Sequence, residues 1–216
     1  MANSISEPSE SLSRKERERH RHRQDILTAS EKIFSLKGYF NATIEEIARE
    51  AEFSVGTIYN FFDNKENLYQ EIIHSLIANG FEDFVREVLT EPDPVQAIRL
   101  LIRLRLRQYE QHQGLFHVVI DSMPSGRFNP ALLMPTECLK YHERYFEHLC
   151  AIIANGRDQG VFCSEEPLHL ALTLEGVMHT FIAYWFKQRS ANIQPAQLEI
   201  LTRMIFRALG YKQHQE

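Results

Sequence analysis

Cysteine is scarce in this chain: three residues in 216, at positions 138, 150 and 163, with no CxxC pair among them. An odd, scattered set of thiols argues against a disulfide framework and for reduced, mostly buried side chains in a cytoplasmic protein. Cys138 and His142 stand four apart on an expected helix, but no third ligand accompanies them, so no metal and no cofactor are expected. Long apolar runs are also missing. The most hydrophobic stretch, LHLALTLEGVMHTFIAYWF, carries His169, Glu175 and His179, whereas a membrane span needs about 20 largely uncharged residues. The N-terminus shows no apolar signal-peptide core, which again points to the cytoplasm and to no membrane partner. Positive charge is not in excess, with 24 Lys and Arg against 29 Asp and Glu, so overall charge does not by itself suggest nucleic acid. The GxSxG, HExxH, P-loop and Rossmann glycine patterns are absent and the ten histidines are scattered, so catalysis is not expected and no catalytic residue is assigned. No segment alternates with period two long enough to make a strand, which leaves an all-α fold.

What is present is helix punctuation. Residues 1–13 are small, polar and acidic, the composition of a disordered tail. RKERERHRHR follows at 14–23, with six Lys or Arg to two Glu. Such a run is a solvated helix face, part of a disordered tail, or an arm that follows DNA phosphates. Ile26, Leu27, Ser30, Ile33 and Phe34 then form a helical stripe that stops at Gly38. Thr43 caps a second helix, with Glu46 completing a capping box. Ser54 caps a third, expected to reach about residue 62. Asp63 and Glu66 repeat the box pattern, with Asn64 a rival cap, and open a long helix over 64–89. Further helices are expected over 95–109, 115–122, 135–159, 167–189 and 195–209, with the breaker cluster MPSGRFNP between the second and third of these.

A helix of about eight residues is too short to be stable alone, so the third helix must be held by packing. Ile58, Phe61 and Phe62 can face inward against Ile33, Ile47 and Ala48. Val55, Gly56, Thr57, Tyr59 and Asn60 are then left facing outward. Two short helices joined by a tight turn, the second presenting small and hydroxyl side chains at its start, make a helix-turn-helix. The second helix of that motif lies in the DNA major groove. Gly56 lets the backbone come close to the groove, and Tyr59 can give its hydroxyl to a phosphate. Lys65 puts a cation at a helix start, against the dipole, a placement that a phosphate opposite would explain. Thr43 and Ser54 are caps in any case and can contact phosphate as well. SVGTIYNFF lacks Arg, Lys and Gln, the side chains of strong bidentate base readout. Readout is therefore expected to be sparse, resting on Val55 and Thr57 against thymine methyls, with the basic run and DNA shape supplying much of the affinity.

With Lys37-Gly38-Tyr39, Thr43, Ile47-Ala48, Gly56-Thr57-Ile58-Tyr59 and Phe62-Asp63-Asn64-Lys65-Glu66-Asn67-Leu68 in order, the region resembles the DNA-binding domain of the TetR (tetracycline repressor) family. One position departs from the family pattern: the residue before Phe62, often His or Tyr, is Phe61 and cannot donate a hydrogen bond. The expected organisation is a tail (1–13), a three-helix helix-turn-helix domain with its basic arm (14–66), and a helical ligand-binding and dimerisation domain (67–216). The helix over 167–189 is apolar nearly all round, so it needs cover on more than one side. Together with the last helix it offers a two-fold, four-helix homodimer interface, which is also the family's arrangement. Two reading heads about 34–36 Å apart or more would then meet a near-palindromic double-stranded DNA operator.

The resemblance further implies a cavity for a small, mostly apolar or aromatic effector, and a regulator that is usually a repressor. Lining candidates are Phe84, Phe116, Met123, Phe128, Tyr141, Tyr145, Phe181 and Trp185, with Arg103, Arg107, His117 and His179 as polar groups. Aromatic stripes of this kind also serve as plain core. Arg103, Arg105 and Arg107 spread over about 200° of their helix, so they cannot all face one cavity. The alternative reading is a helical adapter whose head binds protein rather than DNA.

Overall fold

Residues 13–112, 136–187 and 193–211 are described by the structure, a computed structural model. Ser13 caps α1 (Arg14–Asn41): its hydroxyl accepts from the Glu16 N–H at 3.2 Å, and its own N–H donates to the Glu16 carboxylate at 2.8 Å. The basic run is therefore the opening of a regular helix, and the tail over 1–12 lies outside the described residues. α1 is broken where expected. Gly38 sits at φ 76°, ψ 161°, a region that is essentially glycine-only, and one further turn follows it.

α2 (Ile44–Glu50) carries the expected box, with the Glu46 N–H donating to Thr43 Oγ1 and the Thr43 N–H to Glu46, both at 3.3 Å. It ends in a Schellman turn: the Phe53 N–H reaches the Ala48 carbonyl at 2.9 Å and the Glu52 N–H that of Arg49 at 3.3 Å. Such a turn needs a left-handed residue, and here Glu52 fills that place at φ 59°. α3 (Val55–Tyr59) is shorter than the expected span to 62. The Asn60 N–H bonds the Thr57 carbonyl at 3.1 Å and the Phe61 N–H that of Ile58 at 3.0 Å, three-residue steps that tighten and close the last turn.

α4 (Lys65–Glu87) starts from the rival cap: Asn64 Oδ1 accepts from the Asn67 N–H at 2.7 Å, while Asp63 stands outside the helix. After it come α5 (Pro94–Gln111), α6 (Thr136–Asp158), α7 (Pro167–Lys187) and α8 (Pro195–Ala208). The helix expected over 115–122 and the MPSGRFNP cluster lie outside the described residues. The described elements are all helices, and no described helix is long and apolar enough to cross a membrane.

Two apolar clusters organise the chain. Ile26, Phe34, Ile47, Ala48, Ile58 and Phe62 form the N-terminal one, and Leu68, Tyr69 and Ile72 of α4 belong to it. That core therefore runs beyond the expected boundary at 66. The larger C-terminal cluster takes Phe81 and Phe84 from the other end of α4, with Ile98, Leu101, Leu149, Leu174 and Leu201. One helix of 23 residues thus contributes to both cores.

Two of the positive-φ sites, Glu52 and Gly38, make opposite expectations. Glu52→Gly removes a left-handed penalty of about 1–2 kcal/mol, partly offset by the greater freedom of the unfolded chain. It should raise unfolding stability by about 1 kcal/mol in urea titrations. Gly38→Ala should lower it by about 1–3 kcal/mol.

Candidate nucleic-acid interface

Ile58 and Phe62, 0% and 2% exposed, fix α3 to the core and thereby set which side of it faces out. On that outer side Ser54, Gly56, Tyr59 and Asn60 are exposed, with Tyr59 at 52%. Thr57 is half-buried. Its hydroxyl lies 2.8 Å from Ser54 Oγ, which also accepts the Thr57 N–H at 3.0 Å. The pair shares one internal bond, which leaves one hydroxyl hydrogen for an outside acceptor. Thr43 is exposed, and its hydroxyl accepts from Glu46 while keeping its own hydrogen to donate. Val55, expected to face outward, is instead half-buried and packs against the N-terminal cluster. Only part of its surface is therefore presented.

Gly56 is not required by the fold. A Cβ there would meet only Ser54 Oγ, at 3.7 Å, an ordinary contact. A glycine within a helix weakens it by about 0.5–1 kcal/mol relative to alanine, and no close contact among the described residues requires one here.

Lys65 has a structural task that its sequence position did not reveal. Its ammonium donates to the Tyr39 carbonyl at 2.9 Å and to the Ala42 carbonyl at 3.0 Å, and it lies 4.6 Å from the centre of the Tyr39 ring. The cation at the start of α4 is thus explained by orphan carbonyls at the end of α1, without a phosphate. One of its three N–H groups remains for an outside acceptor.

The C-terminal candidates divide. Tyr145 is buried and Trp185 nearly so, Tyr141 and Phe181 pack against the same cluster, and Phe84 meets Tyr145 with ring centres 4.9 Å apart. Arg103 and Arg107 point to the surface, and Arg107 grips both oxygens of Glu87 at 2.7 Å. The inward arginine is the one between them, Arg105, whose guanidinium lies 4.4 Å from the centre of the Tyr145 ring. Tyr145 donates to the buried carboxylate of Glu175, and His179 Nδ1 is 3.5 Å from the other Glu175 oxygen. Burial, with Glu175 adding to it, holds the Tyr145 hydroxyl well above the usual phenol range. Burial also pushes Tyr109 up to about 12, against the pull of Arg105. Both therefore stay protonated near neutral pH. Arg105 and Glu175 were missed in the sequence. Their signals were there: Arg105 is rotated away from its two neighbours, and Glu175 is the single acid in a long apolar run. Phe116, His117, Met123 and Phe128 lie outside the described residues.

Replacing Lys65 by Met keeps its length but loses both charge-assisted bonds to backbone carbonyls. This should cost about 1–3 kcal/mol of unfolding stability, read in urea titrations of the full chain. An unchanged midpoint would show that the ammonium does not hold the head together.

Comparison with known proteins agrees with this geometry. Residues 26–72 match the family model described as bacterial regulatory proteins, tetR family. The HTH-type transcriptional regulator YxaF of Bacillus subtilis is 25% identical over 158 residues, 72% of this chain and 80% of that one. The HTH-type transcriptional repressor NicS of Pseudomonas putida is 31% identical over 90 residues, 42% of each chain. Among solved structures, the transcriptional regulator FadR of Bacillus subtilis, in complex with stearoyl-CoA, superposes with a TM-score of 0.68 at 18% identity, over 86% of this chain and 96% of that one. The head built on α1 to α4 and these relatives converge on one assignment: residues 26–72 form a DNA-binding domain of the tetR family of bacterial regulatory proteins, and the helical body behind it has the fold of TetR-family regulators.

Proposed function

We propose that the chain is a cytoplasmic, ligand-responsive repressor that binds a near-palindromic operator as a homodimer and is released by a small, mostly apolar or aromatic effector. The observation that carries the DNA half of this reading is the outer face of α3. Gly56, Tyr59 and Asn60 are exposed beside a hydroxyl pair, on a helix pinned from behind by Ile58 and Phe62. Thr43, Ser54 and Thr57 carry hydroxyls for phosphates or base edges, and Lys65 keeps one N–H for a phosphate while it braces the head. Val55 gives the groove only the exposed part of its side chain.

The homodimer reading rests on two apolar stripes. On α7, Leu168 and Leu172 are 46% and 53% exposed; on α8, Ile200 and Met204 are 41% and 42% exposed. Each pair is four residues apart and so lies on one face, while Leu201 and Ile205 of α8 turn into the core. Pairing these stripes with a two-fold copy would remove both from water.

The effector reading rests on the centre of the C-terminal domain. There Tyr145 touches a small polar group of Arg105 and Glu175, which His179 joins, and Phe181 and Trp185 belong to the same apolar cluster. That Bacillus subtilis FadR has the same fold and is bound to stearoyl-CoA favours an effector with a long apolar part. Its binding would shift the population toward a dimer whose head spacing no longer fits the operator. α4 can transmit the change because it belongs to both cores. A second link is the bond between His112 Nδ1, at the end of α5, and Glu31 of α1 at 2.8 Å.

Selection from a random-sequence duplex pool by the full-length protein should enrich a two-fold symmetric duplex, and binding to it should weaken steeply with salt. Gly56→Ala should fold as well as or better than the parent, yet bind that duplex roughly tenfold more weakly, about 1.4 kcal/mol. Equal affinity in anisotropy titrations would remove α3 from the interface.

A further inference from the structure

The basic run is a helix, and a helix sorts its charges by face. At 100° per residue, Lys15, Arg19 and Arg23 share one side, and Arg14, Arg17 and Arg21 the opposite one. The first side is turned toward α4 and the segments that flank the reading helix. Arg23 pairs with Glu71 at 2.9 Å and lies 5.1 Å from the centre of the Phe62 ring. His22, beside that face, meets Phe53 edge-on with ring centres 5.0 Å apart. Arg19 sits 5.8 Å from the centre of the Phe61 ring. Phe53 and Phe61 flank α3 at its start and at its end, so this face of α1 touches the chain on both sides of the reading helix. The second side looks elsewhere: Arg14, Arg17 and Arg21 are exposed there with Glu18 among them.

Arg23 is committed to the fold by its carboxylate. Arg19 differs: it is exposed, and an aromatic face is the contact that orients it. The position just after α3 carries Phe61, which has no hydrogen-bond donor of its own. A guanidinium held over that ring restores a donor, and a positive one, at the exit of the reading helix.

We propose that Arg19, seated on Phe61, is a DNA phosphate contact of this chain, continued one turn outward by Lys15, and that Arg14, Arg17 and Arg21 are not. The basic run would then act as one rigid edge of the reading head, with two of its six basic side chains aimed at the duplex. This rests on the reading that α3 enters the groove.

The test uses the full chain and the duplex that the unaltered protein enriches from a random pool, titrated by anisotropy over a range of salt. Arg19→Ala should weaken binding by about five- to tenfold and lower the slope of log K against log salt by about 1. Arg21→Ala should change affinity by less than about twofold and leave the slope alone. Phe61→Leu keeps an apolar filler and the arginine but removes the aromatic face, and should reproduce most of the Arg19→Ala loss. Equal effects of Arg19→Ala and Arg21→Ala, large or small, would overturn the face assignment, and the DNA-binding reading would still stand if Gly56→Ala remained impaired. Full affinity in Phe61→Leu would overturn the seat. Failure of the unaltered chain to enrich any duplex would instead sink the DNA-binding reading, and this inference with it.

Discussion

The ammonium of Lys65 is the point on which the reading head depends. It ties together three things that the chain order keeps apart: the kinked end of α1, the entry to α2 and the first turn of α4. The carbonyls of Tyr39 and Ala42 face it because Gly38 breaks α1 in a conformation that side-chain-bearing residues avoid. Around it, Tyr39 meets Phe34 and Tyr69 with ring centres 5.8 and 5.0 Å apart, and burial pushes the Tyr69 hydroxyl up to about 12. A cation satisfied by carbonyls and an aromatic face can sit partly buried without an acid beside it. With α4 anchored there, Leu68 and Ile72 close the core against Ile47 and Ile58, and α3 has a fixed floor.

That floor explains why five residues can hold a helix. α3 is far shorter than any helix that persists alone. Its start is set by Ser54, its end by the tightened bonds at Asn60 and Phe61, and its orientation by Ile58 and Phe62. The stability comes entirely from behind, so the front is free to carry residues chosen for something outside the molecule. Gly56 is the plainest example, because no close contact among the described residues requires a glycine there.

How much of this was legible beforehand follows the range of the interactions. Caps and stops are local, so Thr43 with Glu46, Ser54 and Gly38 could be read directly and stand where expected. The choice of Asn64 over Asp63 turned on one residue of register, which a pattern of spacing cannot resolve. The bracing task of Lys65 could not be read because its partners lie 26 and 23 residues away. From sequence alone, an exposed phosphate and a pair of backbone carbonyls are equally good reasons for a cation. Among the three arginines of α5 the periodicity showed that they diverge. It did not show which one turns inward, because that depends on where α6 and α7 bring Tyr145 and Glu175. Of the effector-site candidates, those on α4 to α7 could be placed and those over 113–135 could not.

The central claim is that the outer face of α3 enters the groove. Amide hydrogen exchange of the full chain, with and without its enriched duplex, tests this most directly. The account predicts slowing on DNA addition concentrated at residues 54–60, with a second band at the opening turns of α1. Slowing confined to the C-terminal helices, with residues 54–60 unchanged in a demonstrably bound complex, would contradict it.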